Sequence, residues 1–470
     1  MTYKQQREHA IVLGGSIGGI IAAQVLAKHF QRVSVVERDA IGELGQQRKG
    51  VPHGGQGHAL LYSGLAQLER LFPGWTAELV AVGGKQVDHR AGVWAHHGIA
   101  QRRVSPGADG ILASRPLIEG TLRRHLLRNP RVTFREQTDV QGLRWSGRGE
   151  RVAGVSVRDR PARAQSELAA DLVVDCMGRG SPLSKWLEQS LRPRVTRDEV
   201  RVDIHYASLV CEKIAPSDVL DEYVVVSPAP PSVRAGALLA MEGDRYCVTL
   251  MGMLGERVPH DDAGFRSFAE LLPSPILARN LERLRGVQPI APFSYPASRR
   301  LRYERMKGFP HGLVVFGDAL TSFNPVFGQG MTVAALEGVL LDDCLSHTQG
   351  ELAPRFLAAA QRIIDVPWST AVSNDLRFPA VKGKRSISLR LIHRYMSQLY
   401  RVGAEDPTVA LTLLEVINLA REPTTLLHPS IVARVLLPSL APLWGRGDDP
   451  LHRRLRALAE TNAPERWSDF

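Results

Sequence analysis

The segment Ala10-Ile11-Val12-Leu13-Gly14-Gly15-Ser16-Ile17-Gly18-Gly19 decides the fold, because it runs from an apolar strand through a glycine-rich turn into a helix. A dinucleotide-binding turn needs a glycine for the bend, a small residue facing the pyrophosphate, and a glycine for helix–strand packing. Gly14, Ser16 and Gly19 occupy these places, so serine replaces the usual middle glycine. The helix predicted from Gly19 to about Phe30 would present its N-terminal amides to a phosphate.

An acidic residue follows at the spacing that such a turn requires. The apolar strand Val33-Ser34-Val35-Val36 ends in Glu37, just over twenty residues after Gly14. A carboxylate at this place accepts hydrogen bonds from an adenosine ribose. The alternative is a glycine-rich turn that binds no ligand, and Glu37 disfavours it.

A second glycine-rich loop lies about three hundred residues further along the chain. The apolar strand Val314-Val315-Phe316 ends in Gly317-Asp318, and Asn324-Pro325-Val326-Phe327-Gly328-Gln329-Gly330-Met331 leads into a predicted helix. Asp318 can hydrogen-bond a ribityl or ribose hydroxyl, and the helix N-terminus can stabilise negative charge on a reduced flavin. A metal-binding aspartate is the alternative, but no partner ligands stand nearby, and we predict no metal site. Two such loops so far apart predict an elongated dinucleotide held at both ends, which is FAD.

The composition is that of a soluble globular protein with room for two domains: 470 residues, 44% hydrophobic and 23% charged. Four scattered cysteines exclude a disulfide framework and a zinc site, and they predict a cytoplasmic protein. The apolar run over residues 11–26 is glycine-rich and precedes a strand, so we predict neither a signal peptide nor a membrane span. The net charge of +11 comes from dispersed arginines, which favours a basic surface over nucleic-acid binding.

The predicted fold is α/β, with a Rossmann-like FAD-binding domain, an inserted and mostly antiparallel β-sheet that forms a substrate domain, and a helical C-terminal region. The FAD-binding domain spans residues 1–195 and 301–362, the inserted sheet 196–300, and the helical region 363–470. The insert carries apolar residues that are mostly core, although one edge of the sheet is expected to line an apolar pocket. These residues are Leu238, Leu239, Met241, Leu250, Met251 and Met253.

The motifs resemble those of the flavoprotein monooxygenases of the para-hydroxybenzoate hydroxylase fold, over roughly residues 9–345. The matching segments are Gly14 to Gly19, Glu37-Arg38, Ser114-Arg115-Pro116, Asp175 to Ser181, and Gly317-Asp318 through Met331. Three segments are more narrowly similar to the branch that contains the polyene epoxidases of polyether-antibiotic biosynthesis. They are Arg48-Lys49-Gly50-Val51-Pro52, Asp175-Cys176-Met177-Gly178-Arg179-Gly180-Ser181, and Phe323 to Met331.

The resemblance implies roles for individual residues. Glu37 would bind the adenosine ribose, Arg115 would contact the flavin side of the cofactor, and Asp318 would bind the ribityl chain. The expected cofactor-binding residues are Gly14, Gly15, Ser16, Ile17, Gly18, Gly19, Glu37, Arg38, Arg48, Lys49, Arg115, Val140, Asp318, Pro325, Gly328, Gln329, Gly330 and Met331.

The activity that the resemblance implies is an FAD-dependent monooxygenase of secondary metabolism, such as antibiotic biosynthesis. It would insert one atom of O2 into an apolar small molecule, by epoxidation or hydroxylation, through a flavin C4a-hydroperoxide. NADPH or NADH would supply electrons, directly or through a separate flavin reductase. Met177 bears on that choice, because it replaces an aspartate that many relatives carry before the following glycine and that is associated with both FAD and NADPH binding.

Catalytic side chains are not required by this chemistry, because the cofactor performs the hard step. A base would assist phenol hydroxylation, and His205 and Tyr206 in the inserted sheet are the candidates, although a lone strand histidine is more often structural. The alternatives are an FAD-dependent reductase or dehydrogenase of the same fold acting on a prenyl or other apolar chain, and a binding protein that has lost flavin. A halogenase is disfavoured, because none of the seven tryptophans lies in a Trp-x-Trp-x-Ile-Pro motif.

Overall fold

The computed structural model describes residues 7–147, 149–190, 192–347 and 351–437; the end of the predicted C-terminal region, residues 438–470, lies outside them. The strands are β1 (His9–Leu13), β2 (Arg32–Val36), β3 (Ala59–Leu60), β4 (Lys85–Val87), β5 (Gly92–His96), β6 (Ile99–Ala100), β7 (Gly110–Leu112), β8 (Val132–Arg135), β9 (Thr138–Ser146), β10 (Arg151–Asp159), β11 (Gln165–Ala169), β12 (Leu172–Asp175), β13 (Arg197–Lys213), β14 (Tyr223–Val226), β15 (Arg234–Met241), β16 (Arg245–Gly252), β17 (Leu284–Gly286), β18 (Ala291–Leu301), β19 (Leu313–Val315) and β20 (Thr321–Ser322). The helices are α1 (Ile17–His29), α2 (Tyr62–Leu71), α3 (Trp75–Ala81), α4 (Arg115–Leu126), α5 (Leu183–Gln189), α6 (Asp262–Glu270), α7 (Ile276–Leu281), α8 (Gly330–Ser346), α9 (Leu352–Asp375), α10 (Ile387–Gly403), α11 (Pro407–Ile417) and α12 (Pro429–Leu436).

A parallel sheet brings the two glycine-rich loops to the same edge. Its strand order is β19-β12-β1-β2-β8, and all neighbouring strands are parallel. Strands β1, β12 and β19 are buried along their whole length, as expected when helices cover both faces of a parallel sheet. Parallel strands end at one edge, so the loops after β1 and β19 lie two strands apart, roughly 10 Å.

Helices α1 and α8, which follow the two loops, pack closely against each other. A methyl group added to Gly338 of α8 would lie only 2.4 Å from Cγ2 of Ile21 on α1. The missing side chain at Gly338 therefore lets the helices approach, and the main apolar core forms around them. This packing fixes the N-termini of both helices at the loop edge of the sheet.

The second large sheet has the order β20-β18-β13-β16-β15-β14-β5-β6, with β17 paired to β13. Its neighbours are antiparallel except for β14 and β5, so the predicted mostly antiparallel insert is present. The sheet also recruits β5 and β6 from the segment assigned to the first part of the FAD-binding domain, and β20 from the second part. Strand β5 pairs with a strand about 130 residues away, and local periodicity carries no signal for such a pairing.

The C-terminal helices complete the predicted architecture, and the α/β fold class is confirmed. Helices α10, α11 and α12 form their own apolar cluster, which includes Phe327 of the second loop and packs against Trp94 of β5. The C-terminal helices therefore pack against both the second loop and the large sheet. Among the described residues, no helix is both long and apolar enough to cross a bilayer.

Candidate active site

The first loop is built so tightly that two of its residues must be glycine. Gly14 has φ +95°, and a methyl group added there would lie 2.7 Å from the carbonyl oxygen of Cys176. A methyl group on Gly19 would lie 1.8 Å from the carbonyl oxygen of Gly14. By contrast, the nearest atom to a methyl group on Gly18 would be 3.7 Å away, on Phe316. Gly14 and Gly19 therefore shape the turn, while Gly18 leaves space beside it.

Glu37 is buried and holds the first loop from the end of β2. One carboxylate oxygen accepts a hydrogen bond from the Gly15 amide at 2.8 Å, and the other accepts one from the Asp39 amide at 2.9 Å. The Arg48 guanidinium lies 3.2 Å from the same carboxylate. Glu37 thus organises the turn, and its remaining lone pairs are available to a ribose at this position.

A buried charge cluster that the sequence analysis did not propose surrounds Glu119 of α4. Arg48, Arg115 and Arg123 all approach its carboxylate, and Ser16 of the first loop donates a hydrogen bond to it at 2.6 Å. Burial opposes ionisation of Glu119, but the charges of Arg115 and Arg48 outweigh burial and lower its pKa. Arg48 also pairs with Glu37 and Asp39, so three arginines and three carboxylates form one charge network beside the first loop. The i, i+4 spacing of Glu119 from Arg115 and Arg123 was the available sequence signal.

Arg115 links the two loops. It begins α4, whose N-cap Ser114 accepts a hydrogen bond from the Leu117 amide. Its guanidinium donates to Ser16 of the first loop at 3.0 Å, and its charge also acts on Asp318 of the second loop. The Arg115 Nε atom is buried and has no hydrogen-bond partner among the described residues. An unsatisfied donor at the centre of the site favours a polar ligand there.

Asp318 of the second loop lies in a recess of the protein that is open to solvent. Its side chain is exposed to solvent, while the surrounding protein raises its pKa and the guanidiniums of Arg115, Arg179 and Arg299 oppose that rise. Beneath it, the buried carboxylate of Glu337 accepts a hydrogen bond from the Gly317 amide at 2.7 Å. Burial raises the pKa of Glu337 to about 8. Asp318 therefore lines a cleft, and Glu337 supports the loop that carries it.

The residues of this edge fit a dinucleotide. In the described part of the chain, no side chain caps the N-terminus of α1 or α8, and neither helix has an acid in its first turn. Their amides are therefore open to an anion at each loop. The first loop would hold the pyrophosphate, Glu37 the adenosine ribose and Asp318 the ribityl chain. Met177 lies between the loops, with its Cα 3.3 Å from the position of a methyl group on Gly14.

The other residues predicted to bind the cofactor lie at varied depths. Arg38 and Lys49 are exposed, and Val140 is half-buried on β9, whose first amide donates to the Glu37 carbonyl at 2.9 Å. Ile17 is buried in the core at the start of α1.

The residues of the second loop also differ in exposure. Pro325 and Gly330 are exposed, Gly328 has φ +65°, and Met331 is buried. Gln329 is buried, and its amide donates to the Ile417 carbonyl of α11 at 2.8 Å, so this side chain anchors the loop to the C-terminal helices.

His205 and Tyr206 lie on opposite faces of β13, because successive strand residues alternate. His205 contacts Ser294 at 3.0 Å on the exposed face. Tyr206 lies on the face of the large sheet that also carries Met251 and Tyr295, which we call the inner face. Its ring is 5.9 Å from that of Phe293, and its buried hydroxyl has no partner among the described residues. His205 therefore lies on the exposed face, whereas Tyr206 packs in the cluster that Val326 of the second loop contacts.

The apolar residues expected at the pocket divide between the two faces in the same way. Leu238 and Leu250 pack in the core beneath α6 and α7. Met251 and Met253 pack with Tyr206 and Tyr295 on the inner face, in a group that also contacts Val326 of the second loop. Leu239 and Met241 line a cavity of about 240 Å³ between this sheet and the loop of residues 45–58.

Two histidines that the sequence analysis did not propose lie between this loop and the sheet. The His53 ring lies 5.8 Å from that of His58 and 6.0 Å from that of Phe293. Burial and the charge of Arg115 lower the pKa of His53 to about 4, and burial lowers that of His58 to about 3. Both rings are therefore neutral near pH 7 and can donate or accept a hydrogen bond.

A buried carboxylate, also absent from the sequence expectations, supports the second loop from behind. Asp375 ends α9 and accepts a hydrogen bond from the Asn324 side-chain amide at 2.8 Å, while its other oxygen has no partner among the described residues. Burial raises the pKa of Asp375 to about 7. Asn324 directly precedes Pro325, so Asp375 helps to position the second loop.

Solved structures that share this fold include monooxygenases and flavin-dependent enzymes. The p-nitrophenol 4-monooxygenase PnpA from Pseudomonas putida superposes with a TM-score of 0.63 at 16% identity, covering 88% of this chain and 98% of that one. The flavin-dependent brominase Bmp2 gives 0.61 at 14% identity, covering 87% and 93%. A flavoprotein/dehydrogenase from Cytophaga hutchinsonii gives 0.65 at 13% identity, covering 95% and 100%. The predicted flavoprotein monooxygenase fold is therefore confirmed.

No family model matches the chain. Protein Rv3254 of Mycobacterium tuberculosis is 34% identical to it over 393 residues, which cover 79% of this chain and 81% of that protein. Identity at this level over this length establishes common descent. The chain belongs to the family of Protein Rv3254.

Proposed function

We propose that the chain is an FAD-dependent monooxygenase that inserts one oxygen atom of O2 into an apolar small molecule. The observation that carries the proposal is the pair of loops at one edge of the parallel sheet, joined through Arg115 and facing the apolar inner face of the second sheet. One part of the site suits a dinucleotide, and the adjoining part suits an apolar substrate.

The residues of the chain would divide the binding of FAD between them. The amides of Gly14 to Gly19 and the N-terminus of α1 would hold the pyrophosphate, with Glu37 on the adenosine ribose. Asp318 would hold the ribityl chain, and the amides at the start of α8 would face the flavin ring. Bound flavin supplies the chemistry of electron uptake and oxygen activation.

The protein's own contribution would be to orient the substrate and exclude water. The inner face offers Tyr206, Met251, Phe293 and Tyr295, and the neutral rings of His53 and His58 close one side. Such a wall binds an apolar molecule by burying its surface, and it can fix one polar group through Tyr206 or a histidine. The similarity to the polyene epoxidase branch supports an alkene or aromatic secondary metabolite as substrate.

The electron donor is proposed to be NADPH or NADH, acting directly or through a separate flavin reductase. Met177 supports the second route, because a thioether cannot replace the carboxylate that many relatives of this fold carry there. Reduction by NADPH alone is then expected to be slow. Free reduced flavin supplied to the protein would bypass this step.

The experiment uses holoenzyme, reduced flavin, 18O2 and a panel of apolar alkenes and phenols, with product analysed by mass spectrometry. Label in an epoxide or a ring hydroxyl is expected. Product formed without oxygen, with the substrate reduced instead, would replace this proposal with the FAD-dependent reductase or dehydrogenase. A folded protein that fails to bind flavin would instead support the third alternative, a binding protein that has lost flavin.

A further inference from the structure

Residues 376–404 form the most basic stretch of the C-terminal region. They contain seven lysines and arginines and no aspartate or glutamate, a formal charge of +7 within 29 residues. The whole chain of 470 residues carries +11. The stretch comprises the connection after α9 and all of α10.

The outward face of this stretch combines basic and large apolar side chains. Ile387 and Leu391, one turn apart on α10, are 74% and 64% exposed, and Ile392 is 44% exposed. Arg390 and Arg394 lie beside Ile387 and Leu391 at the same helical spacing and are exposed. We call Ile387, Arg390, Leu391 and Arg394 the basic–apolar face.

The opposite side of the stretch is anchored to the protein. Leu399 and Tyr400 of α10 are buried in the cluster with α11 and α12. Before the helix, Phe378 and Val381 pack against Tyr206 and Met251 at the inner face of the large sheet. The start of the stretch therefore covers the inner face of the large sheet, where substrate is proposed to bind, while the basic–apolar face is turned to solvent.

The charges on the outward side have no ion-pair partner within the part of the chain that the structure describes. Lys382, Lys384, Arg390 and Arg394 are exposed, and none forms an ion pair with a described residue. Arg385 differs, because it donates hydrogen bonds to the carbonyls of Leu376, Phe378 and Val381 and holds the connection in shape. The free cations remain available to an anionic partner.

We propose that the basic–apolar face docks on an anionic lipid bilayer. A helix with exposed aliphatic side chains flanked by lysine and arginine lies in the plane of a membrane, with its apolar residues in the headgroup–acyl boundary and its cations on the phosphates. Nucleic acid would complement the charge but not Ile387 and Leu391. Docking here places the segment around Phe378 and Val381, which covers the inner face of the large sheet, next to the bilayer. An apolar substrate can then enter the site from the bilayer, and only this last consequence rests on the proposed function.

The test is sedimentation of the full chain with sucrose-loaded vesicles of phosphatidylcholine, with and without phosphatidylserine. The protein is expected to sediment with the anionic vesicles, less at high salt, and not with phosphatidylcholine alone. Arg390→Glu combined with Arg394→Glu is expected to lower the partition coefficient at least tenfold. Leu391→Asp is expected to lower it similarly, because the aspartate opposes insertion.

Matched variants elsewhere on the surface serve as controls. Leu271 is 61% exposed, close to Leu391 in exposure, so Leu271→Asp should bind vesicles as the parent does. Arg124→Glu combined with Arg279→Glu makes the same charge change at exposed positions on α4 and α7 and should also retain binding. A far-ultraviolet circular dichroism spectrum confirms that each variant is folded.

An environment-sensitive dye attached to the new thiol of Ile387→Cys provides a second readout. Its emission should shift to shorter wavelength with anionic vesicles, whereas the same dye attached to Leu271→Cys should not respond. The proposal is overturned if the full chain fails to bind anionic vesicles, or if control and α10 variants lose binding equally. It is also overturned if Leu391→Asp abolishes a dimer of the parent, because the face would then join two copies, or if the chain binds duplex DNA more tightly than vesicles.

Discussion

Replacement of Glu37 by glutamine tests the assignment of the adenosine end of the site. In the structure its two oxygens accept hydrogen bonds from the amides of Gly15 and Asp39, at 2.8 and 2.9 Å. Glutamine keeps one acceptor oxygen and presents an NH2 group to the other amide. The variant therefore leaves one buried N–H unsatisfied, at a cost of about 1–3 kcal/mol in the free energy of unfolding.

FAD binding should weaken in addition to this effect on the fold. Loss of a charge-assisted hydrogen bond to the ribose costs about 1.5–3 kcal/mol, which weakens FAD binding about 10- to 150-fold. FMN lacks the adenosine, so its Kd should change much less in Glu37→Gln. The ratio of the two dissociation constants isolates the ribose contact from general damage to the turn.

The assay is titration of apo protein with each flavin, followed by quenching of flavin fluorescence well below the unfolding temperature. Asp39→Asn is the matched control, because Asp39 lies beside Arg48 and accepts from the Gly50 amide but is not assigned to the ribose. It should leave the ratio of FAD to FMN affinity unchanged. Equal losses for FAD and FMN in Glu37→Gln would refute the assignment.

Three further predictions concern the loops and their support. Burial raises the pKa of Asp375 to about 7 from an ordinary 3.8, so its stabilising contribution is complete at low pH and is lost as pH rises toward 7. The loss begins above the ordinary pKa of 3.8, so Asp375→Asn should gain on the parent in urea unfolding between pH 5 and pH 8, by about 2–3 kcal/mol; no gain over this range would contradict the shift. Gly19→Ala should abolish FAD binding or folding, because its methyl group would lie 1.8 Å from a carbonyl oxygen, while Gly18→Ala, with 3.7 Å of space, should fold with the parent's melting temperature. Asp318→Ala should lower flavin occupancy but not the melting temperature of the apo protein, since its side chain is exposed; the opposite pattern would make Asp318 a structural residue.

The fold was predictable wherever the signal is local or follows a known spacing. The glycines of the first loop, Glu37 after β2 and Asp318 after β19 follow directly from strand–turn–helix patterns. The parallel sheet then makes the two loops neighbours, because β1, β12 and β19 are adjacent. The participation of β5 in the large sheet was not predictable, since its partner β14 lies far along the chain.

The parts of the site that sequence reasoning missed depend on three-dimensional packing. His205 and Tyr206 are neighbours in sequence, yet strand alternation sends only Tyr206 to the inner face. Asp375 lies at the end of a helix whose pattern predicts only amphipathic packing, and its contact with Asn324 spans 51 residues. Glu119 had a detectable signal in its spacing from Arg115, but its burial among three arginines required the tertiary structure.

The most direct test of the central claim is titration of the purified full-length chain with FAD, monitored by the flavin absorption band. The structure predicts saturation at one FAD per chain, a shifted and structured band, and flavin that stays with the protein through a desalting column. A folded protein that leaves the FAD spectrum unchanged and releases all flavin on the column would contradict the account.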